Sequence, residues 1–493
     1  MTSCLGLCAV SAVARVATVV ALVLPFAPHP LAQSGLPRFE PTDCWVDGAW
    51  TRDVRRECGW LVVRESRDRA SATTVRLAVE IFRAQQPSGA PPLVFLHGGP
   101  GGVGGIRLYS EGVARSLLFL HRDVVIYDQR GAGFSQPKLC PAYDSVADAG
   151  LTEARRACIT ELEAQGIDRR AYNTAASVAD LMDLRRVLGY ESWDVYGLSY
   201  GARLAQEAMA RDGRAIRSVV LASPVARGFS SQAEQPLSTQ RALEHVYAAC
   251  ARQPSCRDAF PTVEQDFYAV WDDVTASPVA VPILRPDSGR DTVWLDGRRL
   301  VDAIRNRMLY HVRVGVARLP LLLHELRAGD SARAAREIVG EGTGRLPDAA
   351  LRLINCADHA TSGAIYRKTL DSVNALARPP FRRIFDRECE QWLPQLRDAP
   401  MPAPVRSGIP TLILSGVYDD RTPTKLARRI AATLSHAYLV EFPDEGHDTR
   451  PSPCHSSIIA QFLEDPTRQP DTSCVAAIAP IPFAVAWESP KEP

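Results

Sequence analysis

One short segment, residues 193–210 (WDVYGLSYGARLAQEAMA), changes from a strand pattern to a helix pattern halfway along. Residues 193–196 are typical of a short buried strand, and from Tyr200 onward the apolar residues recur at helical spacing. The letters GLSYG (197–201) lie between them. At so sharp a turn the serine hydroxyl projects beyond the end of the sheet, and the glycines avoid collisions across the turn. Because this pattern also arises by chance, Ser199 is a candidate nucleophile that still needs a base, an acid and oxyanion donors.

Strand and helix patterns alternate on both sides of this turn. The apolar runs at 91–98 and 123–128 are compact and bounded by turn residues, as buried parallel strands are. The alternation is the mark of an α/β protein with a mostly parallel central sheet. Further strands are predicted at residues 58–66, 74–84, 216–223, 409–416 and 437–442, and helices at 174–190, 423–433 and 455–464.

The alternation stops between residues 227 and 406, where the chain is rich in Arg and Ala and mostly helical in period. Prolines break this stretch at ASPVAVPILRP and RPPF. We expect a helical insertion that covers the carboxyl ends of the strands, where open α/β sheets hold ligands. A separate domain with its own function is the alternative. The predicted organisation is a signal peptide (1–32), a first core part (33–226), a helical cap insertion (227–406) and a C-terminal core part (407–493).

The N-terminus has the features of a secretory signal. Arg15 is followed by an apolar run over residues 16–26 and then by prolines and small residues. We expect cleavage near Ala32, although Pro30 is unusual upstream of a cleavage site. The run is short for a membrane span, so an uncleaved anchor is the less favoured alternative. Cys8 lacks the small residues that usually precede a lipid-modified cysteine.

Export changes how the cysteines are interpreted. Two of the twelve lie in the predicted signal, and the ten that remain are an even number in an oxidising compartment, which suggests disulfide bonds. Sequence alone does not fix their connectivity. Pairing sequential neighbours gives the hypothesis Cys44–Cys58, Cys140–Cys158, Cys250–Cys256, Cys356–Cys389 and Cys454–Cys474.

Composition narrows the possible partners. The net charge of +1 gives no reason to expect nucleic acid or an acidic membrane surface as a partner. No H-E-x-x-H or paired C-x-x-C pattern is present, so we expect no metal and no cofactor.

The glycine-rich loop HGGPGGVGG (97–105) directly follows a predicted strand. A phosphate-binding P-loop would need Gly-Lys-Ser/Thr, which is missing. A dinucleotide loop would need a helix start after the glycines, and the sequence shows no good one. We therefore expect a turn that presents backbone N–H groups, with those of Gly99 and Tyr200 forming an oxyanion hole.

Two acidic residues end the strand at 409–416, and one histidine follows the next strand. Asp419 is the predicted acid that orients the histidine, and Asp420 is expected to cap the following helix. His447 lies in a loop beside a glycine and is the predicted base. The order Ser199, Asp419, His447 is the order of the triad in α/β-hydrolases.

Five motifs together carry a family resemblance. HGGPGG (97–102), DQRGAGFS (128–135), GLSYG (197–201), GVYDDRTP (416–423) and GH (446–447) resemble the proline iminopeptidase and tripeptidyl aminopeptidase family of α/β-hydrolases. The resemblance covers essentially the whole mature chain and implies an α/β-hydrolase fold with a large helical cap insertion.

The resemblance is closest to the tripeptidyl branch, because a tyrosine follows the serine and the chain is predicted to be secreted with disulfides. Two positions depart from the family pattern. Asp448 follows Gly-His where a glycine is common, and Asp420 stands where a proline is usual after the acid. Both departures concern the rim of the predicted site.

The resemblance implies a serine aminopeptidase acting on peptides with a free N-terminus through an acyl-enzyme. Such an enzyme needs a carboxylate for the substrate amine. The predicted amine-binding residues are Asp358, within INCADHA (354–360), and Glu244. The alternatives are Glu234, Asp386 and Glu388.

A second interpretation concerns DQRGAGFS. Asp128 and Arg130 are expected to form an ion pair that braces the oxyanion loop rather than to act on substrate.

Two rival functions remain open. A carboxylesterase acting on small or lipid esters would use the same triad. A non-catalytic binding protein with the same fold would be expected to lack a triad member, and none is missing. The peptide length removed, any proline preference and the oligomeric state are not readable from the sequence.

Overall fold

The computed structural model describes most of the chain after residue 34. The described ranges are 35–52, 54–68, 73–116, 121–144, 151–228, 231–284, 290–305, 312–329, 331–340, 348–359, 389–393, 402–447 and 452–487. The predicted signal peptide and its cleavage site lie outside these ranges, as do Asp386, Glu388 and Asp448.

A nine-stranded sheet forms the centre of the described structure, in the order β1-β2-β3-β5-β4-β6-β7-β10-β11. The pairs from β5 to β11 are parallel, and the pairs among β1, β2, β3 and β5 are antiparallel. The predicted fold class, α/β with a mostly parallel sheet, is confirmed. The strands are β1 Arg38–Thr42, β2 Arg56–Arg64, β3 Thr74–Phe82, β4 Leu93–Leu96, β5 Val124–Tyr127, β6 Trp193–Leu198, β7 Ile216–Ala222, β10 Thr411–Gly416 and β11 Ala437–Phe442.

Helices cover both faces of this sheet. On one face of the sheet, the buried apolar residues come from helices α3, α4, α5 and α13. On the other face, they come from helices α1 and α14. Alternate residues of a strand divide between the two faces, so Leu412 and Leu414 pack with one cluster and Ile413 with the other. The helices of this part are α1 Gly105–Arg115, α2 Pro141–Asp144, α3 Leu151–Ala164, α4 Thr174–Val187, α5 Tyr200–Asp212, α13 Thr424–Ala431, α14 Pro453–Glu464 and α15 Ser473–Ala476.

Between β7 and β10 the described chain forms helices and one β-hairpin. The hairpin joins β8 Val279–Leu284 to β9 Arg290–Leu295, within the stretch expected to be mostly helical. The helices are α6 Ser231–Arg252, α7 Pro254–Ala259, α8 Val263–Ala276, α9 Gly297–Ala303, α10 Val312–Ala328, α11 Ser331–Val339 and α12 Ala349–His359.

The hydrophobic clusters do not follow the predicted boundaries of the insertion. Helices α6 to α11 and the hairpin share a cluster of their own. Helix α12 instead places Leu353 and Ile354 in the main cluster of the central sheet, together with Trp392. The C-terminal residues Ile481 and Phe483 pack in the cluster of the insertion.

Among the described residues there are five disulfide bonds, and they join the five pairs of neighbouring cysteines that the sequence analysis proposed. Within the described ranges, no helix is both long and apolar enough to cross a membrane.

Candidate active site

Ser199 occupies the turn between the end of β6 at Leu198 and the start of α5 at Tyr200. Its backbone has φ 56° and ψ −114°, a conformation that non-glycine residues rarely adopt. The Ser199 N–H donates to the carbonyl oxygen of Ala222 at 2.9 Å, which holds the turn against the next strand. The strained conformation is the one expected for a serine exposed at the tip of a strand-to-helix turn.

The two glycines of GLSYG allow this turn to close. A Cβ on Gly197 would lie 2.7 Å from the Cα of Ala202, and a Cβ on Gly201 would overlap the carbonyl oxygen of Leu96 on β4. Neither position has room for a side chain. The glycine spacing therefore reflects close backbone packing around Ser199.

The structure brings Ser199, His447 and Asp419 together. His447 Nε2 lies 2.9 Å from Ser199 Oγ, and His447 Nδ1 lies 2.9 Å from Asp419 Oδ2 and 3.1 Å from Oδ1. Ser199 follows β6, Asp419 follows β10 and His447 follows β11. Because parallel strands end at one edge of a sheet, three loops distant in sequence meet there.

Asp419 is buried and strongly hydrogen-bonded. Its Oδ1 accepts the N–H groups of Arg421 at 2.8 Å and Thr422 at 2.7 Å, and its Oδ2 accepts the Thr422 hydroxyl at 2.6 Å. Burial alone would raise the pKa of Asp419, but His447 and these hydrogen bonds outweigh it and lower the pKa below its ordinary value. Asp419 is therefore held as a carboxylate facing the imidazole.

Thr422 is a residue of this site that the sequence analysis missed. Its hydroxyl oxygen also lies 3.0 Å from His447 Nδ1 and 2.9 Å from the carbonyl oxygen of Ser223, which competes with Asp419 Oδ2 for the single hydroxyl proton. The hint in the sequence was its place directly after Asp-Asp-Arg, where a hydroxyl can reach back to the acid three residues earlier.

The glycine-rich loop lies against the serine. A Cβ on Gly98 would be 3.0 Å from the Cβ of Ser199. Gly99 follows with φ 121°, in the region that favours glycine. Tyr200 is the first residue of α5, so its N–H has no acceptor within the helix. This arrangement puts the predicted donors, Gly99 and Tyr200, on two segments that border Ser199.

The glycine-rich loop runs directly into a helix, which the sequence analysis did not expect. Helix α1 begins at Gly105 after Gly104 (φ 83°), and its N-cap glycine has no side chain that could cap it. The acidic residue after the next strand, Asp128, is fully buried and accepts the N–H groups of Ile106 at 3.0 Å and Phe134 at 2.8 Å. Asp128 is thus occupied in holding the loop, which argues against a dinucleotide site here.

The expected ion pair between Asp128 and Arg130 is absent. Arg130 instead forms a bidentate pair with Asp180 of α4, with Nε and Nη2 both 2.7 Å from its oxygens. Both side chains are fully buried. Asp128 braces the loop through backbone N–H groups alone, and Arg130 connects the same segment to α4.

The expectation for Asp420 was wrong. Pro423, not Asp420, is the N-cap residue of α13. The buried Asp420 carboxylate pairs instead with Arg305 Nε at 2.9 Å, from the segment after α9. The residue beside Asp419 is thus tied to the insertion.

The two chosen amine-binding candidates lie in different surroundings. The Asp358 side chain is 9% exposed, accepts the N–H and the hydroxyl of Thr174, and lies 3.7 Å from Arg203 Nε. Burial raises its pKa, opposed by Arg203 and Thr174. Glu244 is exposed on α6 and accepts from Gln240 at 2.9 Å. These contacts favour a structural role for Asp358 and a solvated one for Glu244, and an amine contact for either stays a prediction. The side chain of Glu234 is outside the described part.

Among the described residues, one group has side-chain atoms close enough together to share a metal ion: Cys44, Cys58 and Glu80. Its two sulfurs form a disulfide bond and offer no thiolate. Arg56 pairs with Glu80 at 2.6 Å. The cluster is therefore a packed polar core, and a metal role does not follow from it.

The fold and the site define an α/β-hydrolase. Residues 91–259 match the family model of the alpha/beta hydrolase fold, and residues 381–474 match that of the TAP-like protein family. A probable proline iminopeptidase of Streptomyces coelicolor is 32% identical over 163 residues, which is 33% of this chain and 40% of that relative. Together these matches support an α/β-hydrolase peptidase family for this chain, which spans less than half the length of the Streptomyces relative.

Solved structures of similar proteins include proline iminopeptidase of Mycobacterium smegmatis, at 16% identity and a TM-score of 0.40, covering 83% of this chain and 98% of that one. An esterase of Thermogutta terrifontis has 15% identity and a TM-score of 0.36, covering 83% and 99%. Both TM-scores are low, so the support for a peptidase family comes from the two family models and the Streptomyces relative.

Proposed function

We propose that the protein is a secreted serine exopeptidase that releases short peptides or single residues from free N-termini. The observation that carries the proposal is the continuous line of contacts from Ser199 Oγ through His447 to Asp419, each 2.9 Å long. The similarity to the TAP-like family model and to a probable proline iminopeptidase supports peptides as substrates.

In the proposed mechanism, Ser199 Oγ attacks the carbonyl carbon of the substrate while His447 Nε2 accepts its proton. Asp419 remains ionised, keeps the Nδ1 proton of His447 in place and stabilises the imidazolium that forms. The N–H groups of Gly99 and Tyr200 bind the oxyanion. His447 then protonates the leaving amine, and an acyl-enzyme on Ser199 remains.

Water completes the cycle in the same geometry. His447 Nε2 accepts a proton from the water as it attacks the acyl carbonyl, and the same two N–H groups bind the second oxyanion. The proton then returns to Ser199 Oγ, and the acyl product leaves. We propose residues 227–406 as the cap that limits which substrates reach this site.

The test compares a chromogenic amide of a tripeptide with a free amine, its N-blocked form and a p-nitrophenyl ester. We expect cleavage of the free tripeptide amide by the wild type and its loss in Ser199→Ala. Ester cleavage without cleavage of either amide would instead identify a carboxylesterase. Covalent labelling by a serine-directed organophosphonate is the control, and absence of label on Ser199 would point to a non-catalytic binding protein.

Secretion is part of the proposal. The five disulfide bonds fit folding in an oxidising compartment. N-terminal sequencing of the protein recovered outside the cytoplasm should begin near residue 33. A protein that starts at residue 1 and stays with the membrane would contradict cleavage and favour an anchor.

A further inference from the structure

Helix α12 (Ala349–His359) carries an acidic residue close to each of its ends. Asp348 directly precedes its first residue, and Asp358 is its last but one. The helix lies late in the stretch predicted to be cap, yet its apolar residues belong to the main cluster of the central sheet. Asp348 contacts the glycine-rich loop directly, and Asp358 contacts Thr174, whose hydroxyl in turn contacts Tyr200.

At the N-terminal end of α12, Asp348 holds the glycine-rich loop. Its Oδ2 accepts the N–H of Gly102 at 2.5 Å, while its Oδ1 accepts the N–H of Leu351 at 2.5 Å and so caps the helix. The loop is packed tightly here, because a Cβ on Gly101 would lie 2.9 Å from the Leu351 nitrogen. Gly99 is only two residues before Gly101, so Asp348 fixes the loop that carries the Gly99 N–H.

At the C-terminal end, Asp358 holds Tyr200 through Thr174. The Thr174 hydroxyl contacts both the Asp358 carboxylate and the Tyr200 hydroxyl, the latter at 2.8 Å. Tyr200 is 4% exposed. Since Tyr200 is the residue after Ser199 and opens α5, fixing its side chain also fixes the position of its N–H.

The helix between these two ends is itself well anchored. Leu353 and Ile354 are fully buried. Cys356 forms a disulfide bond with Cys389, and Trp392 nearby stacks edge-on against Tyr143 at 5.4 Å. A rigid element with a carboxylate contact at each end can hold two separate segments at a fixed spacing.

We propose that α12 positions both backbone donors of the oxyanion hole, with Asp348 and the Asp358–Thr174 pair as its positioning residues. This inference rests on the proposed function. Asp348 acts on the Gly99 side of the hole and Thr174 on the Tyr200 side, and neither touches the substrate. Loss of either contact leaves Ser199, His447 and Asp419 in place and displaces one N–H donor.

The test uses two single substitutions, Asp348→Asn and Thr174→Val, with ester hydrolysis as the readout. Each should lower kcat by about 10-fold and leave KM nearly unchanged, less than the roughly 10²–10³-fold effect of losing a donor outright. Affinity for a trifluoromethyl ketone, which forms an oxyanion on Ser199, should fall by a similar factor. Thr174→Ser keeps the hydroxyl and should restore both values.

Asp296→Asn is the matched control for Asp348→Asn. Asp296 caps α9 by accepting the Arg299 N–H at 2.8 Å, so the same change is made at the same kind of position. It should leave kcat and ketone affinity as in the wild type. Circular dichroism and thermal melting establish that each variant is folded.

Unchanged kcat and ketone affinity in folded Asp348→Asn and Thr174→Val would overturn the inference, as would equal losses in Thr174→Ser or in Asp296→Asn. Failure of the proposed function would be seen differently. In that case the wild type would cleave the ester but neither tripeptide amide, or Ser199 would form no adduct with the organophosphonate or the ketone.

Discussion

The Thr422 side chain contacts both the acid and the base of the triad, Asp419 and His447. Its hydroxyl contacts Asp419 Oδ2, His447 Nδ1 and the Ser223 carbonyl oxygen. We expect Thr422→Val to lower kcat by about 10-fold, because Asp419 keeps its contact with His447 but loses a donor that orients it. Steady-state kinetics on the ester measure this.

The control for this change is Thr422→Ser, which retains the hydroxyl and should keep most of the activity. If the Val and Ser variants are equally slow, the methyl packing of Thr422 matters and its hydrogen bonds do not.

The buried carboxyl of Asp128 should make the free energy of unfolding depend on pH. Burial raises its pKa from 3.8 to about 6, although the backbone N–H groups that donate to the carboxylate lower the pKa. A raised folded-state pKa contributes stability that is complete below the unfolded pKa and is lost as the pH rises through about 6. The wild type should therefore lose about 1 kcal/mol relative to Asp128→Asn between pH 5 and pH 7.5.

Denaturant unfolding of both proteins at the two pH values measures this difference. The comparison removes the contribution of Asp144, whose pKa burial and Asp348 also raise to about 6, because both proteins share it. A stability difference that is the same at pH 5 and pH 7.5 would show that Asp128 does not titrate in this range.

At the scale of single residues, local patterns in the sequence predicted Ser199, Asp419 and His447, which the structure brings together, but the partners predicted for Arg130 and Asp420 were wrong. Ser199 and His447 each stand in a short glycine-bearing motif at the end of a strand. The partners of Arg130 and Asp420 are 50 and 115 residues away, at Asp180 and Arg305. A local sequence pattern cannot predict an ion pair between side chains so distant in sequence, because tertiary packing determines which side chains meet.

Among the elements, the central strands were predictable and several other elements were not. The buried strands are continuous apolar runs, such as VVIY of β5, which leave a clear signal. Helix α1 has Gly104 at its N-cap and receives its capping carboxylate from Asp128, 22 residues after Ile106, so its start was missed. The β8–β9 hairpin contains Pro282 and was taken for a break, although proline is tolerated at the edge of a sheet. β1 was missed as well.

The disulfide of α12 should matter more for stability than the shortest one. Cys356–Cys389 spans 33 residues and Cys250–Cys256 spans 6. In the chain-entropy account, replacing both cysteines by Ala should cost about 3–4 kcal/mol for the longer loop and about 2 for the shorter. Denaturant unfolding of the two double variants measures the costs, and the reverse order would show that packing around the shorter bond dominates.

For the whole molecule, the strand order brings together segments that are distant in sequence. β7 and β10 are parallel neighbours although the chain between them includes α6 to α12. The sequence predicted this interruption because the strand pattern stops and resumes. The sequence did not predict that α12 packs in the hydrophobic cluster of the central sheet or that the C-terminal segment packs with the insertion. An amphipathic pattern shows which face of a helix is buried but not which element that face packs against.

The C-terminal segment should stabilise the insertion measurably. Phe483 is 7% exposed, and its N–H donates to Gln253 at 3.3 Å. Phe483→Ala should lower the free energy of unfolding by about 3 kcal/mol through the cavity it leaves. Val485, 46% exposed on the same segment, is the control, and Val485→Ala should be near neutral. Equal effects would show that the backbone, and not the buried ring, holds the segment.

The buried pair of Asp420 and Arg305 restricts how this protein can be recombined with its relatives. Asp420 adjoins Asp419, while its cationic partner belongs to the insertion. A chimera that receives a foreign insertion without an arginine at that place would leave this buried carboxylate with Arg421 Nε, at 3.7 Å, in place of its closer partner. Removing one partner of a buried ion pair costs up to about 3–5 kcal/mol. Cap and core are therefore not interchangeable modules, and a functional graft has to transfer both members of the pair together.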